Sequence, residues 1–324
     1  MRNPFLDYYK VLLAVFVVGV HTSPLADYSR SLSFLLNLGI FRLAVPTFFL
    51  INGYYAVSAL SSKASTINYV KRILLIYAFW MLLYFPLYVY THDFSIKNVM
   101  WGLIVLLYGY GHLWYLTALM GGMLLMYFLK SKYEKRVVLT LSVIFYFIGS
   151  IIELIQGHIS NLPITFSNEI AQLQMWKLNF IFFAFPFIAI GYYMKKDTLK
   201  FNQKSLLYIG LVLFAIELII SYKYFTHGRN MLFSLILIAP VILCYFLNLK
   251  IPTHHKIDSN KYLEKLSNSI YYIHGLPNFF VSLFLINIGT TNKFVLVSIL
   301  SLVLSILLIK VNSKLKKPFK DKII

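Results

Sequence analysis

Within an otherwise apolar stretch, Lys10 precedes His21 by eleven positions. In a helix rising 1.5 Å per residue the two stand about 16 Å apart, roughly half the thickness of a bilayer's hydrocarbon core. Such a segment holds a cation near one membrane surface and an imidazole at depth. Imidazole titrates near neutrality, so it suits taking a proton from a hydroxyl and returning it to a leaving group; the alternative for His21 is a hydrogen-bonded structural histidine. Glu217, within the apolar run Phe214-Ala215-Ile216-Glu217-Leu218-Ile219-Ile220, is a second ionisable group in costly surroundings. It is placed to orient an acceptor hydroxyl or to pair with a base such as Arg42. Arg42 lies four residues before Pro46, so it either lines a pathway or satisfies carbonyls that the proline frees.

The elements that must carry these groups follow from composition. The 324 residues are 59% hydrophobic and 13% charged, against roughly a quarter charged in a soluble domain. A net charge of +19 would suit nucleic-acid binding if the basic residues formed one patch. They fall instead in small clusters between apolar runs, which argues for a membrane protein and against a nucleic-acid partner. The runs predict an all-α, polytopic membrane helix bundle of about ten transmembrane helices, near 8–25, 36–60, 72–90, 111–129, 137–155, 178–194, 205–221, 231–248, 267–288 and 294–310. The short, Gly-punctuated stretch 98–110 reads as a half-helix or re-entrant piece. The first run reads as a retained helix rather than a signal peptide, because no small-residue cleavage site follows it.

With both termini cytoplasmic, 23 of the 30 Lys and Arg residues fall on the inner side. The remaining seven are Arg30, Arg42, Lys97, Lys177, Lys223, Arg229 and Lys293. The Lys-rich tail 310–324 then anchors beside anionic membrane lipid. No loop is long enough to fold by itself, so residues 1–324 are expected to form a single integral membrane domain without a soluble or racemase-type addition. Cys244 reads as a packing residue, Glu153 as interfacial and Trp114 as part of an interfacial aromatic belt. His254 and His255 have no partner at metal-ligand spacing, and no metal is expected.

A lysine or arginine, ten residues and a histidine on the first helix resemble the signature of the acyltransferase-3 family of bacterial membrane O-acyltransferases. Further segments agree in order: Phe41-Arg42 through Pro46 to Asn52-Gly53-Tyr54, then Tyr69-Val70-Lys71-Arg72, then Gly111-His112-Leu113-Trp114-Tyr115-Leu116. Phe183-Ala184-Phe185-Pro186-Phe187 with Gly191-Tyr192, and Leu266-Ser267 through Tyr271-Tyr272-Ile273-His274, complete the match. The pattern also resembles the membrane half of VanT-type serine racemases, which keeps transport or handling of serine as a second function.

The family resemblance implies transfer of an acyl group other than an aminoacyl group, most simply acetyl, from cytoplasmic acyl-CoA (acetyl-CoA) to a hydroxyl of a cell-envelope glycan or lipid-linked acceptor. It implies a multi-pass protein of the bacterial cytoplasmic (inner) membrane, with room for a separate extracytoplasmic partner. His21 and Glu217 would be catalytic. Lys10, Lys71 and Arg72 would hold the donor's phosphates, although ordinary positive-inside anchoring explains the last two equally well. Arg42, Asn52, His112 and Tyr115 would contact substrate. The chain departs from the family pattern at Lys10, Asn52 and Lys177, where arginine, serine and arginine are usual, and at Leu74 and Leu75, near which many members carry a further arginine.

Overall fold

The computed structural model describes residues 3–91, 95–159, 178–197, 202–224, 229–249, 261–315 and 324. Lys177, His254, His255, most of the outer stretch 156–177 and most of the Lys-rich tail lie outside the described residues. The described chain is helical, with no strand among the described residues, as expected of an all-α membrane bundle. Among the described residues seven stretches are long and apolar enough to cross a bilayer: Pro4–Thr22, Arg30–Tyr55, Lys63–Thr91, Gly111–Lys132, Lys135–Gln156, Gln203–Tyr224 and Thr290–Lys314.

The other three expected spans coincide with interrupted or shorter helices, each for a local reason. Around 178–194, a π turn over Phe180–Ala184 precedes the helix Phe185–Lys196; Asn179 Oδ1 accepts from the amides of Ile181 and Phe182 and starts the turn. Around 231–248, the helix begins only at Leu235. Around 267–288, Tyr262–Ile273 stops and Gly275–Phe284 resumes, with Pro277 withholding the amide that would bond back across the junction. The 98–110 stretch lies in the helix Ile96–Tyr108, whose 13 residues span only about 20 Å.

We number the α-helices α1 (Pro4–Thr22), α2 (Arg30–Phe34), α3 (Ala44–Tyr55), α4 (Lys63–Thr91), α5 (Ile96–Tyr108), α6 (Trp114–Lys132), α7 (Lys135–Ile159), α8 (Phe185–Lys196), α9 (Gln203–Tyr224), α10 (Leu235–Asn248), α11 (Tyr262–Ile273), α12 (Gly275–Phe284) and α13 (Thr290–Lys314). They form two compact units, Met1–Phe48 with Ile238–Ile324, and Phe49–Leu237.

In the first unit α1 packs on α11 and α13. Asn3 starts α1 by accepting the Phe5 amide, and its own amide donates to the carbonyls of Phe246 (2.8 Å) and Leu247 (3.1 Å). One side chain thereby satisfies the beginning of α1 and the end of α10. Tyr9 stacks on Phe246 with ring centroids 4.0 Å apart. Gly19 leaves the space that the Phe41 ring occupies, where any Cβ would overlap it. Beyond α1, the Asp27 carboxylate accepts from the hydroxyls of Thr290 and Thr291 and from the Thr291 amide at the start of α13.

In the second unit α6 lies against α4, α5, α7, α8 and the π turn. Helices α3 and α8 come into backbone contact. A Cβ on Gly53 would strike the Ile188 carbonyl, and a Cβ on Gly191 would strike the Leu50 carbonyl. The two glycines permit reciprocal backbone contact, the usual way in which small residues join helices where water supplies no drive for association.

Candidate active site

His21 lies in the last turn of α1. Its side chain is exposed. The Arg42 guanidinium lies within electrostatic reach of it, carried by the tight turn Ile40–Leu43. Thr47 donates to the Leu43 carbonyl one turn back, at 2.6 Å. The second neighbour of His21 is the ring of His274, with centroids 5.2 Å apart. His274 is buried at the junction of α11 and α12, and its Nδ1 stands 2.7 Å from the Tyr271 carbonyl oxygen.

Lys10, at the other end of α1, is 8% exposed, and its ammonium lies 3.3 Å from the Asp7 carboxylate, itself 3% exposed. The pair is neutral as a unit, which is how a charge is tolerated in such surroundings. The spacing of three residues that aligns them was visible in the sequence, but Asp7 was not among the candidates.

In the second unit the Asn52 amide donates to the Tyr115 hydroxyl at 2.8 Å, and its oxygen accepts from the Tyr69 hydroxyl at 3.1 Å. Asn52 and Tyr115 are thus brought together, with Tyr69 as an unanticipated third member. Phe49 stacks on Tyr115 with centroids 4.5 Å apart. Trp114 stacks on Phe183 at 5.8 Å and is half-buried. His112 is buried, edge-on to Tyr84. Lys71 and Arg72 are exposed on α4.

Glu217 has a different environment from the one expected. Its carboxylate accepts from the amides of Phe233 (2.7 Å) and Ser234 (2.9 Å) and from the Ser234 hydroxyl (2.7 Å). Its cationic partner is Arg229 at 3.5 Å, in place of the expected Arg42. Glu153, expected to be interfacial, is 2% exposed and accepts from the amides of Asn230 (2.8 Å) and Met231 (2.7 Å). The Tyr146 hydroxyl donates to the Leu232 carbonyl between them at 2.7 Å. Two carboxylates and a phenol therefore satisfy the residues leading into α10, whose backbone groups would otherwise be stranded in apolar surroundings. No group of three or more His, Cys, Asp or Glu side chains suited to a metal occurs among the described residues.

Residues 3–310 match the acyltransferase-3 family, described as an acyltransferase domain. A serine/alanine racemase of Enterococcus gallinarum is 31% identical over 287 residues, 85% of this chain and 40% of the relative. Two amino-acid racemases of Enterococcus faecalis are 30% identical over 206 residues (62% of this chain, 29% of the relative) and 26% identical over 286 residues (84% and 40%). The chain thus spans well under half the length of these relatives, and no solved structure matches it. With its apolar helices and a family match that runs over residues 3–310, the chain belongs to the acyltransferase-3 family of multi-pass membrane proteins.

Proposed function

We propose that this chain is a membrane O-acyltransferase that moves an acyl group, in the simplest case acetyl, from cytoplasmic acyl-CoA to a hydroxyl of a cell-envelope glycan or lipid-linked acceptor. The observation that carries this reading is His21, exposed in the last turn of α1 with Arg42 and the His274 ring beside it, in a chain of an acyltransferase family. In the reaction His21 takes the acceptor's hydroxyl proton as the oxygen attacks the thioester carbonyl. The carbonyl oxygen becomes an oxyanion, and Arg42 is the nearby cation suited to stabilise it. Collapse breaks the C–S bond, and the imidazolium returns its proton to the departing thiolate.

We assign Lys71 and Arg72, exposed on α4, to the donor's phosphates. Lys10 contributes through its pair with Asp7, and Asn52 with Tyr115 presents hydroxyl and amide groups to substrate. Glu217 we move from chemistry to architecture, because its oxygens already hold the approach to α10. The topology proposed is ten crossings of the bacterial inner membrane as one domain, both termini cytoplasmic.

A second reading, handling or transport of serine, draws on the names of the racemase relatives. Membranes given labelled acetyl-CoA and envelope material separate the two. Label reaching the envelope with wild type, and lost with His21→Ala at equal expression, supports transfer. Equal label from both proteins, or no label from a wild type that still binds or moves serine, overturns it.

A further inference from the structure

The helix break at His274 places a second imidazole beside the proposed base, and its protonation pattern is fixed by its surroundings. A carbonyl oxygen only accepts, so at 2.7 Å from Tyr271 O the Nδ1 of His274 carries the proton. In neutral His274 the other nitrogen, Nε2, therefore bears a lone pair. The ring is almost completely buried, at 1% exposure, and it is held between its Tyr271 bond and the neighbouring Tyr271 ring, whose centroid is 6.0 Å away. The His21 ring lies beside it, with centroids 5.2 Å apart at an interplanar angle of 37°.

We propose that His274 is a positioning residue for His21: as substrate binds, the exposed His21 ring turns an N–H onto Nε2 of the adjacent His274, leaving the opposite His21 nitrogen as the base. This rests on the acyltransferase reading above. When His21 takes the acceptor's proton, the imidazolium so formed keeps its bond to the His274 lone pair and is stabilised by it. When the proton passes to the thiolate, both rings return to their starting state and no net proton is gained. A preset neighbour of this kind does the work that a carboxylate does for histidine elsewhere, without bringing a negative charge into the membrane. The break between α11 and α12 thus has a chemical use: it lets one imidazole serve the Tyr271 carbonyl and His21 together.

Two substitutions separate this role from a purely structural one. His274→Asn keeps a donor close to the Nδ1 position, and so the bond to Tyr271, but has nothing at the Nε2 position. His274→Gln puts an amide oxygen near the Nε2 position. In the transfer assay, normalised to folded protein, we expect kcat to fall about 100-fold in His274→Asn with KM for acetyl-CoA within about twofold, and to recover to within about tenfold of wild type in His274→Gln. In parallel, the rate at which diethyl pyrocarbonate modifies His21, followed by mass spectrometry of the intact membrane protein, should drop about tenfold in the Asn variant and recover in Gln. Transfer and modification both at wild-type rates in His274→Asn would overturn the proposal while leaving the acyltransferase reading intact. A wild type without transfer would overturn that reading, whereas the modification rates would still decide whether the two rings are coupled.

Discussion

Two regions of this protein carry ionisable groups in apolar surroundings and treat them in opposite ways. Around Glu217, Glu153 and Arg229, the carboxylates accept from residues that lead into α10 and pair with the neighbouring guanidinium, and the side chains are buried. Around His21, a ring that remains accessible is accompanied by a cation and a second imidazole whose tautomer is set from outside the pair. The comparison teaches that an ionisable residue within a membrane segment is a candidate for chemistry only after its bonds have been followed. Glu217 and His21 are equally anomalous in the sequence, and their partners separate them.

The sharpest way to break the comparison is to remove one member from each region. His21→Ala should lower transfer by at least about 1,000-fold, with the amount of folded protein unchanged, because the ring is not a packed core side chain. Glu217→Ala should do the reverse. It removes the carboxylate beside Arg229 and leaves the Phe233 and Ser234 amides without their acceptor, at a cost of about 3 kcal/mol, which should appear as a lower melting temperature and reduced recovery of monodisperse protein in detergent.

What could be read from the sequence divides along the same line. The first helix and its spacing from Lys10 to His21 were legible, because they are local in the chain and set by residue type. Asn52 and Tyr115, 63 residues apart, were joined in advance only by resemblance; the Tyr69 hydroxyl completing the set was not anticipated. The role of Glu217 was hidden for a physical reason: two of its donors are backbone amides, 16 and 17 residues away, and every residue other than proline has one. The break at His274 left a trace in Pro277, but the surrounding apolar run reads as continuous.

Smaller effects refine the contrast. Gly191→Leu should cost about 2 kcal/mol by forcing α8 away from the Leu50 carbonyl, reducing thermal stability in detergent whether or not substrate is present. Charge removal at Lys71 and Arg72 should raise KM for acetyl-CoA about fivefold with little change in kcat, read from initial rates in membranes.

The smallest expected effect is at Asp27, in the connection after α1. Hydrogen bonds from Thr291, and also from Thr290, hold its carboxyl below the ordinary carboxylate range. A depressed folded value means that the stabilisation is fully present above the unfolded pKa of about 3.9 and is lost as pH falls through the folded one. Asp27→Ala should therefore melt about two degrees below wild type at neutral pH, and the gap should close under strong acid.

The central claim is tested most directly by measuring acetyl transfer per folded molecule for wild type, His21→Ala and Glu217→Gln side by side, with folded protein counted by fluorescence-detected size exclusion. The account predicts no transfer from a well-folded His21→Ala, and near-wild-type transfer per folded molecule from a less abundant Glu217→Gln. A His21→Ala that still transfers, or a well-folded Glu217→Gln that does not, would contradict it.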